Sequence, residues 1–334
     1  MRRPLILVTI SASLGIASCT AAPTVRAGQD GFWDAHTHLS WYGDEALAQL
    51  AASGVIAVRD CGGDVKKLKQ WRDEVSAGDR MGPRIYFAGP VLDGHKDSRF
   101  RLTITTPEEA RRAVDELATM GVDFIKTHNA VPRDAYFAVL DQARRHELQV
   151  ASHLPKEVPA WEAADAGVGS IEHAAESLLA SPIYAGYAAN VDEAMEWWRS
   201  SAGDAALTHL AETGVAVTPT LVTYEAFTEM RRDTTDYQPR RRVLAFLIEL
   251  TGRLHKAGVT LLAGSDFASP EVPLVPGKSL LREIELLQQA GLSRSEAFAA
   301  AGANVSQWFE RPKSGSRKYL RPNQALQPTA SSGG

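Results

Sequence analysis

The sequence predicts an α/β protein, a (β/α)8 TIM barrel, and three observations predict it. Short apolar, β-prone runs alternate with longer helical patterns from Phe32 onward. About eight such runs occur, most followed by a helical stretch, as repeated βα units around a parallel sheet require. Five helical stretches end in a glycine just before the next run, at Gly54, Gly121, Gly167, Gly214 and Gly258. Each fits a left-handed C-cap, where glycine carries no side-chain penalty.

In chain order the expected strands are Phe32–Ala35, Val55–Arg59, Arg84–Ala88, Phe124–Thr127, Val150–Ser152, Ser170–Glu172, Ala216–Pro219 and Thr260–Gly264. Helix starts support the alternation. Thr106-Pro107-Glu108-Glu109 offers a capping Thr, a Pro at the first helical position and a Glu placed for a capping box. Ala110, Val114 and Leu117 then line one face. Ser293-Arg294-Ser295-Glu296 repeats the capping box. Ser181 to Gly203, with Trp197-Trp198, reads as an insertion near the barrel mouth.

A chain of 334 residues with 44% hydrophobic content can bury a large core. The formal net charge of -4 argues against a nucleic-acid binder, which would carry a basic excess. Arg240, Arg241 and Arg242 read as a solvated helix start.

The first residues read as an export signal. Met1-Arg2-Arg3 is basic, and the mostly apolar run Pro4 to Ile16 is too short for a comfortable membrane span. Ile16-Ala17-Ser18-Cys19 resembles a bacterial lipobox, with an ordinary cleaved signal near Ala21-Ala22 as the alternative. Lipid on Cys19 would be the only membrane attachment. Thr20 after the Cys makes outer-membrane delivery, facing the periplasm, the expectation that this resemblance carries. Cys61 then has no partner, and no intrachain disulfide is expected. The expected organisation is a signal over residues 1–18, a linker over 19–31, the barrel over 32–310 and a disordered, aperiodic tail over 311–334.

The chemistry-bearing residues cluster at strand ends. His36 and His38 lie two apart at the end of the first strand and so face the same side. Facing the barrel interior, they can share a metal, and imidazole suits zinc and other first-row cations. Lys126, His153, His173 and Asp266 fall at or just after the C-terminal ends of later strands. Barrels keep their active sites on that face. Singly, each has a bland explanation: a hydrogen-bonded core histidine, a snorkelling lysine, a capping aspartate. Together they require six ionisable residues to coincide at one end of five strands. His95, Tyr224 and Arg59 are candidate substrate contacts with structural roles as the alternative, and Cys61 reads as a small buried residue.

The ordered set Asp-Ala-His-x-His, Phe-Ile-Lys, a single His, Ile-Glu-His and Gly-Ser-Asp resembles the amidohydrolase superfamily, in its imidazolonepropionase-like and prolidase-like branch. The resemblance runs from about Phe32 to Phe309. It implies two divalent cations, zinc being the expected metal. His36, His38 and Asp266 would hold the first, and His153 and His173 the second. A carbamate on Lys126 would bridge them. It further implies that a metal-activated hydroxide attacks a substrate carbonyl, with Asp266 as proton shuttle. The expected substrate is a small amide, cyclic amide or dipeptide. The same site would serve a lactonase or esterase, and a non-catalytic metal-binding envelope protein is the alternative of a different class. The small β-sandwich common in this branch has no counterpart in the strand pattern, and oligomeric state is left open.

Overall fold

The computed structural model describes residues 31–95 and 99–310. The signal, Cys19, the linker up to Asp30 and the tail from Arg311 lie outside the described residues. The ten strands are β1 (Phe32–Thr37), β2 (Val55–Asp60), β3 (Arg84–Phe87), β4 (Val91–Asp93), β5 (Arg101–Thr103), β6 (Ile125–Thr127), β7 (Val150–Ser152), β8 (Ser170–Glu172), β9 (Ala216–Thr218) and β10 (Thr260–Leu261). Every strand pairing is parallel, in one sheet ordered β1-β2-β3 and another ordered β10-β9-β8-β7-β6-β4-β5. Backbone hydrogen bonds tie the two sheets at both seams. Ala35 N–H donates to Ala263 O at 2.8 Å and Asp266 N–H to His36 O at 2.7 Å. On the other side Asp123 N–H donates to Phe87 O at 2.9 Å.

The eight expected strands all form, Val150–Ser152 and Ser170–Glu172 with the bounds expected and the other six with an end shifted by one to three residues. β4 and β5 were not expected. Each has three residues, too few to show a period, and each is held by pairing across the chain, Val91 with Arg101 and Leu92 with Thr127. All five inter-element glycines have positive φ, from 70° to 92°. Both capping boxes form, on Thr106 with Glu109 and on Ser293 with Glu296. The insertion after β8 is helical: a six-residue π-helix, Ala174–Leu179, leads to helices Ser181–Tyr184, Val191–Arg199 and Ser201–Thr213. Among the described residues no strand lies outside the two sheets, and no helix is long and apolar enough to cross a membrane.

Two apolar clusters hold the strands. The larger lies between strands and helices. The smaller joins Trp33, Ala35, Ala57, Phe124, Ala151, Ala216 and Leu262 from the strands to Val305 and Trp308 of the last described helix, Ala303–Glu310. Cys61 belongs to this second cluster, fully buried, as expected of a small packing residue. Burial pushes its thiol pKa far up, so it stays protonated.

Candidate metal centre

The C-terminal strand ends open into a cavity of about 800 Å³ lined by His36, His38, Lys126, His153, His173 and Asp266. All six expected residues therefore meet in one pocket, and backbone irregularities accompany His36, His38, His173 and Asp266. In β1 the register shifts between Asp34 and Thr37, setting three residues against two of β2. This bulge resets the alternation. Trp33 and Ala35 pack in the inner apolar cluster, and beyond the bulge His36 and His38 reach the cavity. At β8 the alternation is broken instead by His173, whose φ is 64°. Asp266 has φ 51°, and Thr220, beside His173, has φ 48°. Left-handed backbone at a non-glycine residue costs roughly 1–3 kcal/mol and persists where surrounding structure enforces it, often at functional sites.

The geometry centres on Asp266. Its Oδ1 lies 3.5 Å from His36 Nε2 and 3.3 Å from His38 Nε2, and its Oδ2 lies 3.8 Å from His173 Nδ1. The rings of His36 and His173 are 4.7 Å apart, and those of His173 and His153 are 4.8 Å apart. Lys126 is buried, and its ammonium nitrogen donates to Thr127 O at 2.7 Å.

Burial pushes the pKa values of His36, His153 and His173 well below the ordinary histidine value, so these rings are neutral. Burial also lowers the pKa of Lys126. For Asp266, burial opposes ionisation, but its contacts with the His36 and His38 rings outweigh it and hold the carboxyl below its usual range.

The donor set fits a metal ion. Ligand atoms of His36, His173 and Asp266 all lie within 4.8 Å of one another. Bonds of about 2 Å to a shared cation set neighbouring donors roughly 3–4 Å apart, a small contraction from this arrangement. The buried Nε2 atoms of His36 and His153 have no hydrogen-bond partner. Buried polar nitrogens are normally paired, and an orphaned neutral imidazole nitrogen carries the lone pair a cation needs.

Glu172 precedes His173 in β8, which by alternation puts it on the opposite strand face in a packing or helix-pairing role; instead it points inward and is fully buried. Its Oε2 lies 2.7 Å from His36 Nδ1. That contact places the His36 proton on Nδ1 and leaves Nε2 free toward the cavity. Strand alternation is not what failed here. Ser170 and Glu172 do share a face, and their hydroxyl–carboxylate distance is 2.5 Å. His173 is the residue that departs from alternation, and a lone positive φ leaves no trace in composition.

Arg59 also requires correction. It was a candidate substrate contact, but its guanidinium is fully buried and does not line the cavity. Its Nε donates to Ala35 O at 2.5 Å, Nη1 to Ser170 Oγ at 2.9 Å, and Nη2 to both Glu172 oxygens at 2.7 Å. With its donors spent and the Trp308 ring 4.6 Å away, it is a structural ion-pair partner. His95 is exposed on the loop after β4 and does not line the cavity. Tyr224 does line it. His128 also lines it, its Nδ1 3.3 Å from Asp93 Oδ2 and its ring 4.5 Å from that of His153.

The parallel α/β fold matches those of solved amidohydrolases and prolidases, so the resemblance to the amidohydrolase superfamily expected from the motifs extends to the fold. Bottromycin amidohydrolase matches with a TM-score of 0.66 at 26% identity, covering 84% of this chain and 67% of its own. A Bifidobacterium longum protein described as a prolidase matches with a TM-score of 0.61 at 25% identity, covering 84% of this chain and 69% of its own. Among curated relatives, an uncharacterised protein of Mycobacterium tuberculosis and another of Mycobacterium bovis are each 26% identical over 313 residues, 85% of this chain and 76% of theirs. No protein-family model matches the chain.

Proposed function

We propose that the protein is a metal-dependent hydrolase of carbon–nitrogen bonds in small amides, cyclic amides or dipeptides. The observation that carries this reading is the convergence of His36, His38 and His173 on the Asp266 carboxylate, with the buried Nε2 atoms of His36 and His153 left without a hydrogen-bond partner. Hydrolases of amides and prolyl dipeptides among the structural relatives support it. The two sheets, hydrogen-bonded at both seams, support a closed (β/α)8 barrel over residues 32–310 as the scaffold.

In this reading His36, His38 and Asp266 would hold one cation and His153 and His173 a second. Lys126, as a carbamate, would join the two. Burial lowers its pKa and so favours the neutral amine, the form that adds carbon dioxide. Zinc suits this nitrogen and oxygen donor set. Bound cations supply Lewis acidity at the scissile carbonyl and lower the pKa of water. The protein's own residues do the rest. Asp266, ionised and within reach of His36 and His38, takes a proton from the attacking water and returns it to the leaving nitrogen. Tyr224 offers a phenol to a substrate oxygen, and Trp41 and Leu274 narrow the cavity and displace water.

Elemental analysis of the purified protein beside the Lys126→Ala variant tests the reading. About two cations per chain are expected in the parent, with metal and hydrolysis lost together in the variant. Full metal retention by the variant would remove the bridging role. A panel of dipeptides, cyclic amides and lactones then separates amidase from lactonase, since one site geometry serves both. The export signal and lipid on Cys19 belong to the same proposal, with the periplasmic face of the outer membrane as destination. Palmitate labelling that survives in Cys19→Ala would defeat that part.

A further inference from the structure

The cavity lining carries charge that the hydrolytic chemistry leaves unused. Arg231 follows helix Leu221–Glu229, and Arg240 sits in the first turn of helix Tyr237–Lys256. Both line the cavity. Neither forms an ion pair among the described residues, although nearby arginines do: Arg232 with Glu229, Arg242 with Asp192, Arg282 with Glu225. Arg101, the third arginine of the lining, is held by Asp93. The acidic groups facing the cavity are Asp266, already committed to the histidines, and Glu176.

The wall beside these arginines is apolar. Phe227 and Met230, from the helix that leads to Arg231, are 43% and 54% exposed, and both line the cavity with Val272 and Leu274. Exposed large apolar side chains grouped at a cleft mark a binding surface more often than a passive one. Glu176 feels the charge of Arg240 but forms no ion pair with it, and a guanidinium beside such a wall can bind a ligand carboxylate through paired charge-assisted hydrogen bonds.

We propose that the substrate carries a sizeable apolar group together with a carboxylate apart from the scissile bond. Arg231 and Arg240 bind the carboxylate, and Phe227 and Met230 cover the apolar group. This rests on the hydrolase reading for the reaction the site serves, but the selection itself belongs to the arginine pair.

The test is calorimetric binding of 4-phenylbutyrate and its neutral counterpart 4-phenylbutyramide to the full-length protein as purified. In the parent the carboxylate should bind about tenfold more tightly than the amide, the scale of a charged hydrogen bond. In Arg231→Ala/Arg240→Ala the preference should fall to about twofold or less, with amide binding unchanged. Arg231→Lys/Arg240→Lys should restore part of it, which a folding defect would not. An equal preference in the alanine variant would assign carboxylate recognition to the histidine cluster and overturn the proposal. So would the absence of preference or of carboxylate binding in the parent. The two readings fail separately: a metal-free, inactive protein with an arginine-dependent preference loses only the hydrolase reading. An active metalloprotein without that dependence loses only this one.

Discussion

Glu172→Gln probes the centre most sharply, because one carboxylate serves two partners. Its oxygens meet only donors: both accept from Arg59 Nη2 at 2.7 Å, Oε2 also lies 2.7 Å from His36 Nδ1, and Oε1 lies 2.5 Å from Ser170 Oγ. Glutamine keeps the shape but has one acceptor and one donor, so the Arg59 charge loses its counter-charge in a fully buried site. Breaking a buried pair from one side costs about 3–5 kcal/mol, and the retained hydrogen bonds place this case near 3 kcal/mol. At roughly 2–4 °C per kcal/mol for a large domain, Tm should fall by about 6–12 °C. Loss of the His36 Nδ1 anchor should separately weaken metal binding about 10- to 100-fold. Thermal unfolding by circular dichroism with chelator present reads the first effect, and zinc competition against a chromophoric chelator reads the second. Removing Arg59 as well, as Arg59→Met/Glu172→Gln, should recover stability while metal affinity stays low. A Gln variant with parental Tm and parental zinc affinity would refute the two-partner role.

Glu283 is buried, accepts Val222 N–H at 2.8 Å and has its other oxygen unpartnered; burial pushes its pKa up to about 8. The unfolded value is about 4.3, so the native state holds a proton that the unfolded chain releases between these limits. The resulting stability is complete below the unfolded pKa and is lost as pH rises through about 8. Glu283→Gln stays neutral, so its Tm relative to the parent should climb from pH 5 to pH 8; a pH-independent difference in paired melts would contradict this. Trp308→Ala, which empties a fully buried position packed against Phe124, should cost about 3–5 kcal/mol in urea unfolding, and a cost below about 1 kcal/mol would show that the smaller apolar cluster collapses to fill the gap. Thr106→Ala removes the cap from Glu109 N–H and should cost about 1 kcal/mol by the same measurement, with no change in metal content.

Much of this molecule is local in origin. Glycines at 54, 121, 167, 214 and 258 end helices because their own backbone tolerates positive φ, and the Thr106 and Ser293 capping boxes close within four residues. The position of six ligand candidates at strand ends follows from apolar runs that stop where those residues begin. Such features depend on neighbours in the chain, and so the sequence by itself determined them. What only the tertiary structure decided is which way particular side chains face. The β1 bulge exists through its pairing with β2, and the turn at His173 is held by Thr218 O accepting its N–H at 2.9 Å. Glu172 acquires its role from Arg59 and His36, separated from it by 113 and 136 positions. Arg231 and Arg240 face the cavity because the helices after β9 fold back over the strand ends. Orientation of this kind is set by contacts between distant segments, whose energies have no counterpart in any short window of the chain.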